Sequence, residues 1–230
     1  MSYPLPASAD AQLRVNAFIT RVYTWMAAGL LITGGVAATV ARTESLRNIF
    51  FGNPMLSIGL FVVQLIFVFT FAAAINKLSP AVASALFIGY AALTGLSLSA
   101  IFLVYTGASI ATAFFTTAGL FAVMSVVGYT TKRDLTGLGN ILFMVLIGMI
   151  LASLVNFFLN NPLIYWIITY VSVFVFVGLT AADTQKIKRM AATTDAASNY
   201  AILAALTLYL DFLNLFLSLL RIFGVVRSND

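Results

Sequence analysis

The sequence predicts an all-α polytopic membrane protein with seven transmembrane helices. Three observations predict it. Hydrophobic residues make up 62% of the 230 and charged residues only 8%, where a soluble globular domain carries about a quarter charged residues. Mean hydropathy is +1.05. The apolar residues also gather into runs near the roughly 20 residues that a helix needs to cross hydrocarbon.

The first run, 22–41, lies between Arg21 and Arg42. It is longer than a signal-peptide core of roughly 7–15 residues, so it reads as a retained helix. The second, 54–76, opens at Pro54 and closes at Asn76-Lys77. The third, 81–105, starts after Pro80, and the fourth, 109–131, ends at Lys132-Arg133-Asp134. The fifth and sixth are 138–159 and 162–185, separated by Asn160-Asn161, and the seventh is 200–220. Residues 1–21 read as a cytoplasmic N-terminal tail, 22–220 as one membrane domain and 221–230 as a C-terminal tail. The longest polar stretches are the tail, 42–53 and 186–199, too short for a second domain.

Orientation follows from lysine and arginine. Arg14, Arg21, Lys77, Lys132, Arg133, Lys186, Lys188 and Arg189 share one side, against Arg42, Arg47, Arg221 and Arg227 on the other. The richer side is the cytoplasm, with the N-terminus on it. The net charge of +5 is therefore an orientation signal, and no nucleic-acid partner is expected. The chain has no cysteine and no histidine. Disulfides, zinc sites, haem ligation and Cys or His nucleophiles are excluded within it. No G-x-x-x-x-G-K-[S/T] run supports ATP-driven transport. Glycines at 29, 34, 95 and 119 read as close-packing positions between helices.

The informative residues are acidic. Asp10, Glu44, Asp134, Asp195 and Asp230 fall in tails and loops; Asp183 and Asp211 alone fall inside spans. A lone aspartate at a helix centre costs roughly 2.5–3.5 kcal/mol to insert, and such residues usually face a partner in the bundle interior. At 100° per residue Thr207, Asp211, Asn214, Ser218 and Arg221 share about an 80° arc of the seventh span. Thr169, Ser172, Phe176, Thr180 and Asp183 share a face of the sixth. Two such carboxylates within hydrogen-bonding distance do not both ionise easily and can share one proton. Loss of that proton pushes two helices apart, a pH gate. Both ionised, they present hard oxygens of the kind calcium prefers. The alternative is that the acids are interhelical packing contacts. An intramembrane aspartyl protease is disfavoured, because Ala182-Asp183 and Leu210-Asp211 stand where Tyr-Asp and Gly-x-Gly-Asp are needed. Neither an enzymatic role nor a cofactor is expected. Lys77, Lys186 and Lys188 are the candidate cations near the pair.

Five segments together resemble the Bax inhibitor-1 family, the transmembrane Bax inhibitor motif proteins, in its bacterial type. They are 19-ITRVYTWMAAGLLITGG-35, 85-ALFIGYAALTGLSLSAIFLVY-105, 125-SVVGYTTKRDLTGLG-139, 176-FVGLTAADTQKIK-188 and 206-LTLYLDFLNLFLSLLRIFG-224. The resemblance implies a central seventh helix wrapped by six others. It implies a pH-dependent cation leak, with calcium the leading ion, in which Asp183 and Asp211 form the di-aspartyl sensor. It places Lys77 where an arginine latch is expected, and lysine lacks arginine's bidentate fork.

Three functions are compatible with these residues. The first is a slow leak along Thr180, Thr207, Asp211, Asn214 and Ser218, with Asp183 and Asp211 as transient calcium contacts. Only Glu44 and Asp230 lie on the external side, so no acidic ring concentrates the ion. The second is a non-conducting regulator of stress, cell death or a membrane protease that works through a membrane-protein partner. The third is a proton-coupled small-solute transporter. A bacterial inner membrane is the expected location.

Overall fold

Nine α-helices and one 3-10 turn are found in a computed structural model, which describes residues 7–51, 54–193 and 198–227. Asp195 and Asp230 of the sequence reading lie outside the described residues. The helices are α1 (Ala7–Arg42), α2 (Glu44–Phe51), α3 (Pro54–Ala74) and α4 (Pro80–Leu98), with the 3-10 turn Ile75–Lys77 before α4. There follow α5 (Ile101–Val104), α6 (Gly107–Thr130), α7 (Thr136–Leu159), α8 (Pro162–Thr193) and α9 (Ser198–Phe223). Seven segments are long and apolar enough to cross a membrane: one each in α1, α6, α7, α8 and α9, one from α3 through the 3-10 turn, and one across α4 and α5.

The ends follow local chemistry. Ser79 caps α4 by accepting the Val82 N–H, with Pro80 in the first turn where its missing donor costs nothing. Thr106 caps α6 by accepting the Ser109 N–H. Asn160 ends α7 in the left-handed conformation, φ 49°. Asn161 Oδ1 then accepts the Leu163 N–H at 2.9 Å and starts α8.

Two boundaries differ from those read in the sequence. Helix α1 begins at Ala7, so much of the expected tail is helical. Val15, Phe18, Val22 and Met26 form a buried stripe that continues down it, which gives this extension an apolar face to bury. Helix α8 continues to Thr193, through Lys186, Lys188 and Arg189. The polar stretch 42–53 contains α2, and the third span breaks between Leu98 and Ile101.

The chain divides into two compact units. One comprises 1–105, 190–209 and 227–230; the other comprises 106–189 and 210–226. In the first, α1 packs on α4. A Cβ on Gly95 would sit 2.7 Å from the Thr33 carbonyl oxygen and from Val36. Thr33 Oγ1 donates to the Ala91 carbonyl at 2.8 Å and lies 2.6 Å from the Tyr209 hydroxyl. Tyr209 sets its ring edge-on to Phe87 and Tyr90.

In the second unit, Val175, Phe176 and Leu179 of α8 form the core with Leu215 and Leu219 of α9. Phe114 and Phe121 of α6 meet the Phe212 ring, both at 5.5 Å. Gly128 lies against the Ala181 backbone, and Gly178 lies against Leu142. Of the glycines expected at close contacts, Gly29 and Gly95 hold them, whereas Gly34 and Gly119 face open space. Helix α9 is the most buried span: 72% of its apolar window is buried, against at most 33% elsewhere. Helix α7 buries none of its window, so its side chains are available to lipid.

Gly128→Ala should lower stability by about 1–3 kcal/mol, because α6 and α8 backbones must separate. Gly119→Ala should leave it unchanged within about 0.5 kcal/mol or raise it slightly. Thermal unfolding of the detergent-solubilised protein checks both.

Candidate functional site

The second unit brings the two intramembrane acids together. Asp183 and Asp211 lie within hydrogen-bonding reach of each other. Asp211 is 5% exposed and Asp183 half-buried. The Asp211 Oδ2 is buried and has no hydrogen-bond partner among the described residues. A hydrogen bond between carboxyl groups needs one proton on the pair, since an ionised carboxylate only accepts.

Helix length explains why the acids come level. Helix α9 starts at Ser198, about 20 Å of rise before Asp211. Helix α8 runs on to Thr193, about 15 Å past Asp183. Both acids therefore sit inside long helices. The polar face of α8 is buried as its spacing predicts, with Thr169 and Thr180 at 0% and Ser172 at 4% exposure. Further along, Ser172 Oγ donates to Ser218 Oγ at 2.6 Å and ties α8 to α9.

The other expected stripe residues satisfy themselves. Thr180 Oγ1 donates to Phe176 O at 2.7 Å, Asn214 Nδ2 to Leu210 O at 2.8 Å and Ser218 Oγ to Asn214 O at 2.7 Å. In the first unit Thr207 Oγ1 donates to Leu203 O at 3.2 Å. Each uses a carbonyl four residues back on its own helix, a common way to keep a hydroxyl or amide satisfied in an apolar span.

The basic residues divide. Lys77 ends the 3-10 turn of the first unit, is exposed and forms no ion pair among the described residues. Lys186, also exposed, supplies positive charge that acts on Asp183. Lys188 is committed elsewhere. Its Nζ donates to the Tyr129 carbonyl at 2.6 Å and lies 4.4 Å from the centre of the Tyr129 ring.

Just beyond Asp183 a polar clasp joins α8 to the α6–α7 loop. Gln185 Oε1 accepts the Leu135 N–H at 2.8 Å, and its Nε2 donates to the Arg133 carbonyl at 2.8 Å. Arg189 pairs with Asp134 at 2.8 Å and also donates to Gln185 and Thr136. The Thr136 hydroxyl, then its backbone N–H, then Arg189 hold the Asp134 carboxyl down at about 2. Sequence reasoning missed this clasp. Gln185 stood two residues from a chosen acid, but its partners are about fifty positions away in the chain.

Among the described residues no three His, Cys, Asp or Glu side chains gather to hold a metal. Two carboxylates offer at most four oxygens, fewer than the 6–8 of a calcium site. Any ion beside them keeps much of its water.

Residues 15–228 match the family described as inhibitor of apoptosis-promoting Bax1. The chain belongs to the Bax inhibitor-1 family. Inner membrane protein YbhL of Escherichia coli strain K12 is 54% identical over 215 residues, covering 91% of this chain and 92% of that protein. A Borreliella burgdorferi protein is 43% identical over 219 residues, with 94% of each covered. A Deinococcus radiodurans protein is 42% identical over 212 residues, covering 91% of this chain and 90% of that protein. This Bax inhibitor-1 family member is thus a multi-pass membrane protein over nearly its whole length, as the five quoted segments led us to expect.

Two outcomes check the clasp. Folding lowers the Asp134 carboxyl from its ordinary 3.8 to about 2. Its contribution is therefore complete above 3.8 and is lost as the pH falls through about 2, which carboxyl carbon NMR reads directly. Gln185→Ala should speed exchange of the Leu135 amide proton while leaving the helices intact, measured by hydrogen–deuterium exchange.

Proposed function

We propose that this protein is a pH-sensitive cation leak pathway, with calcium as the leading permeant ion and the Asp183–Asp211 pair as its gate. The observation that carries the reading is the hydrogen-bonding reach of two acids inside membrane-spanning helices. With one proton shared, α8 and α9 are held together. With that proton lost, two like charges face each other where water is scarce, and their repulsion favours separation. The closed form is the one in which Thr180, Asn214 and Ser218 donate to their own helices. Opening presents these groups, and Thr207, to a hydrated path. Calcium is cargo here, and no resident cofactor or catalytic step is assigned.

By analogy with a relative named as an inner membrane protein, we place the chain in a bacterial inner membrane. The lysine and arginine distribution supports a cytoplasmic N-terminus.

One observation favours a second reading. The stripe side chains are already satisfied by backbone carbonyls, which suits a protein that changes shape without conducting. In that reading a membrane-protein partner senses the state of the pair.

Calcium entry into dye-loaded proteoliposomes across pH 5–8 tests both. The leak reading expects flux that rises with pH in the native protein. Asp211→Asn and Asp183→Asn should flatten that dependence several-fold, since each amide removes one charge from the pair. Flux at background in all three folded proteins would sink it and leave the regulatory reading.

A further inference from the structure

A second polar feature lies at the other end of α8. In the second unit, α7, α8 and the end of α9 border a cavity of about 450 Å³. This lies within the roughly 300–1,000 Å³ of small-molecule sites. Its lining includes Asn156, Asn160, Asn161, Tyr165 and Arg221 and, among the described residues, contains no carboxylate. Tyr165 is eighteen residues from Asp183 along α8, or about 27 Å of rise. The cavity is therefore separated from the acid pair by nearly the thickness of the hydrocarbon core, roughly 30 Å.

The lining is rich in unspent donors. Asn156 Oδ1 accepts the Asn161 N–H at 3.0 Å, and Asn161 Oδ1 accepts from Leu163 and Ile164. Because backbone N–H groups identify those atoms as oxygens, both NH₂ groups remain as donors. Among the described residues Arg221 forms no ion pair; its guanidinium lies 6.0 Å from the centre of the Tyr165 ring. A cation, several amide donors and no acid suit an anion with multiple acceptor oxygens.

The surroundings choose the source. Tyr165, which lines the cavity, meets Trp166 edge-on, and Trp166 stacks on Tyr170, an aromatic series of the kind found in a headgroup-level belt. Phe157, which lines the cavity, is 72% exposed, and Phe158 and Leu163 are similarly bare. An acyl chain can lie along these side chains while its headgroup enters among the donors. The geometry points to a binding site for the phosphate headgroup of an anionic phospholipid, held by Arg221 with Asn156 and Asn161.

Native mass spectrometry of the full chain, released from mixed phosphatidylglycerol and phosphatidylcholine nanodiscs, tests this. Phosphatidylglycerol should be retained about fivefold over phosphatidylcholine, the scale of one basic charge near a membrane surface. Arg221→Gln should abolish that preference, and Asn156→Leu should reduce it. Arg227→Gln removes the same charge outside the cavity lining and should preserve it. Unchanged thermal unfolding confirms that each variant folds. Equal retention of the two lipids by the native protein, or an undiminished preference in Arg221→Gln, would overturn the proposal. Arg221-dependent binding of inorganic phosphate without a lipid preference would also overturn it and identify a free-phosphate site.

Discussion

Hydrocarbon supplies no hydrogen bonds, and the architecture depends on that constraint. Every backbone group in a span must be satisfied within the protein, which leaves only helices for a chain of this composition. The same demand governs side chains. Thr180, Asn214 and Ser218 turn back to carbonyls of their own helices, and Ser172 reaches Ser218. Thr33 finds both Ala91 and Tyr209. Against this background two buried side-chain atoms, Ser125 Oγ and Asp211 Oδ2, have no hydrogen-bond partner among the described residues, and only the second belongs to an acid. A group left unsatisfied in so economical a structure costs stability, and a change in protonation or position is what relieves it.

The clasp beyond Asp183 gives the acid pair a defined support. Gln185 lies about half a turn from Asp183 and is bonded to two backbone groups of the α6–α7 loop. Lys188 adds a third attachment to α6 through Tyr129. The α8 segment that carries Asp183 is therefore pinned on its C-terminal side by Gln185 and Lys188, and on its N-terminal side by Ser172. A movement that separates the acids has to stretch or pivot about these fixed points. Of the attachments, the Asp134–Arg189 pair is exposed at both partners, so solvent screens it and it gives way more readily than the buried amide contacts.

Much of this was legible in the sequence because the signals are local. Seven apolar runs give seven spans, and an acid inside such a run is visible without any partner. The polar faces of α8 and α9 follow from helical periodicity. What was not legible depends on neighbours. Hydropathy marks where a helix leaves hydrocarbon, not where it stops, so the apolar runs 22–41 and 162–185 are shorter than α1 and α8. Glycine identity does not say what stands opposite: Gly128 and Gly178 meet other helices, whereas a Cβ on Gly34 or Gly119 would have no described residue within 4 Å. Gln185 and Lys188 were hidden for the same reason, since their partners are loop and backbone groups far away in the chain. The donor-rich cavity needed three helices brought together before Arg221 was more than a terminal charge.

The position of α9 has a consequence for how the protein is made. This helix supplies residues to both compact units, up to Tyr209 in one and from Leu210 in the other. It is also the last of the seven spans to leave the ribosome. Until it arrives, Ser172 lacks Ser218, Thr33 lacks Tyr209, and Asp183 has no companion carboxyl. The six earlier helices must enter the bilayer with those faces covered by lipid, water or the insertion machinery. Completion of both units is then one late step in biogenesis, taken when the most buried segment of the chain finally replaces that temporary cover.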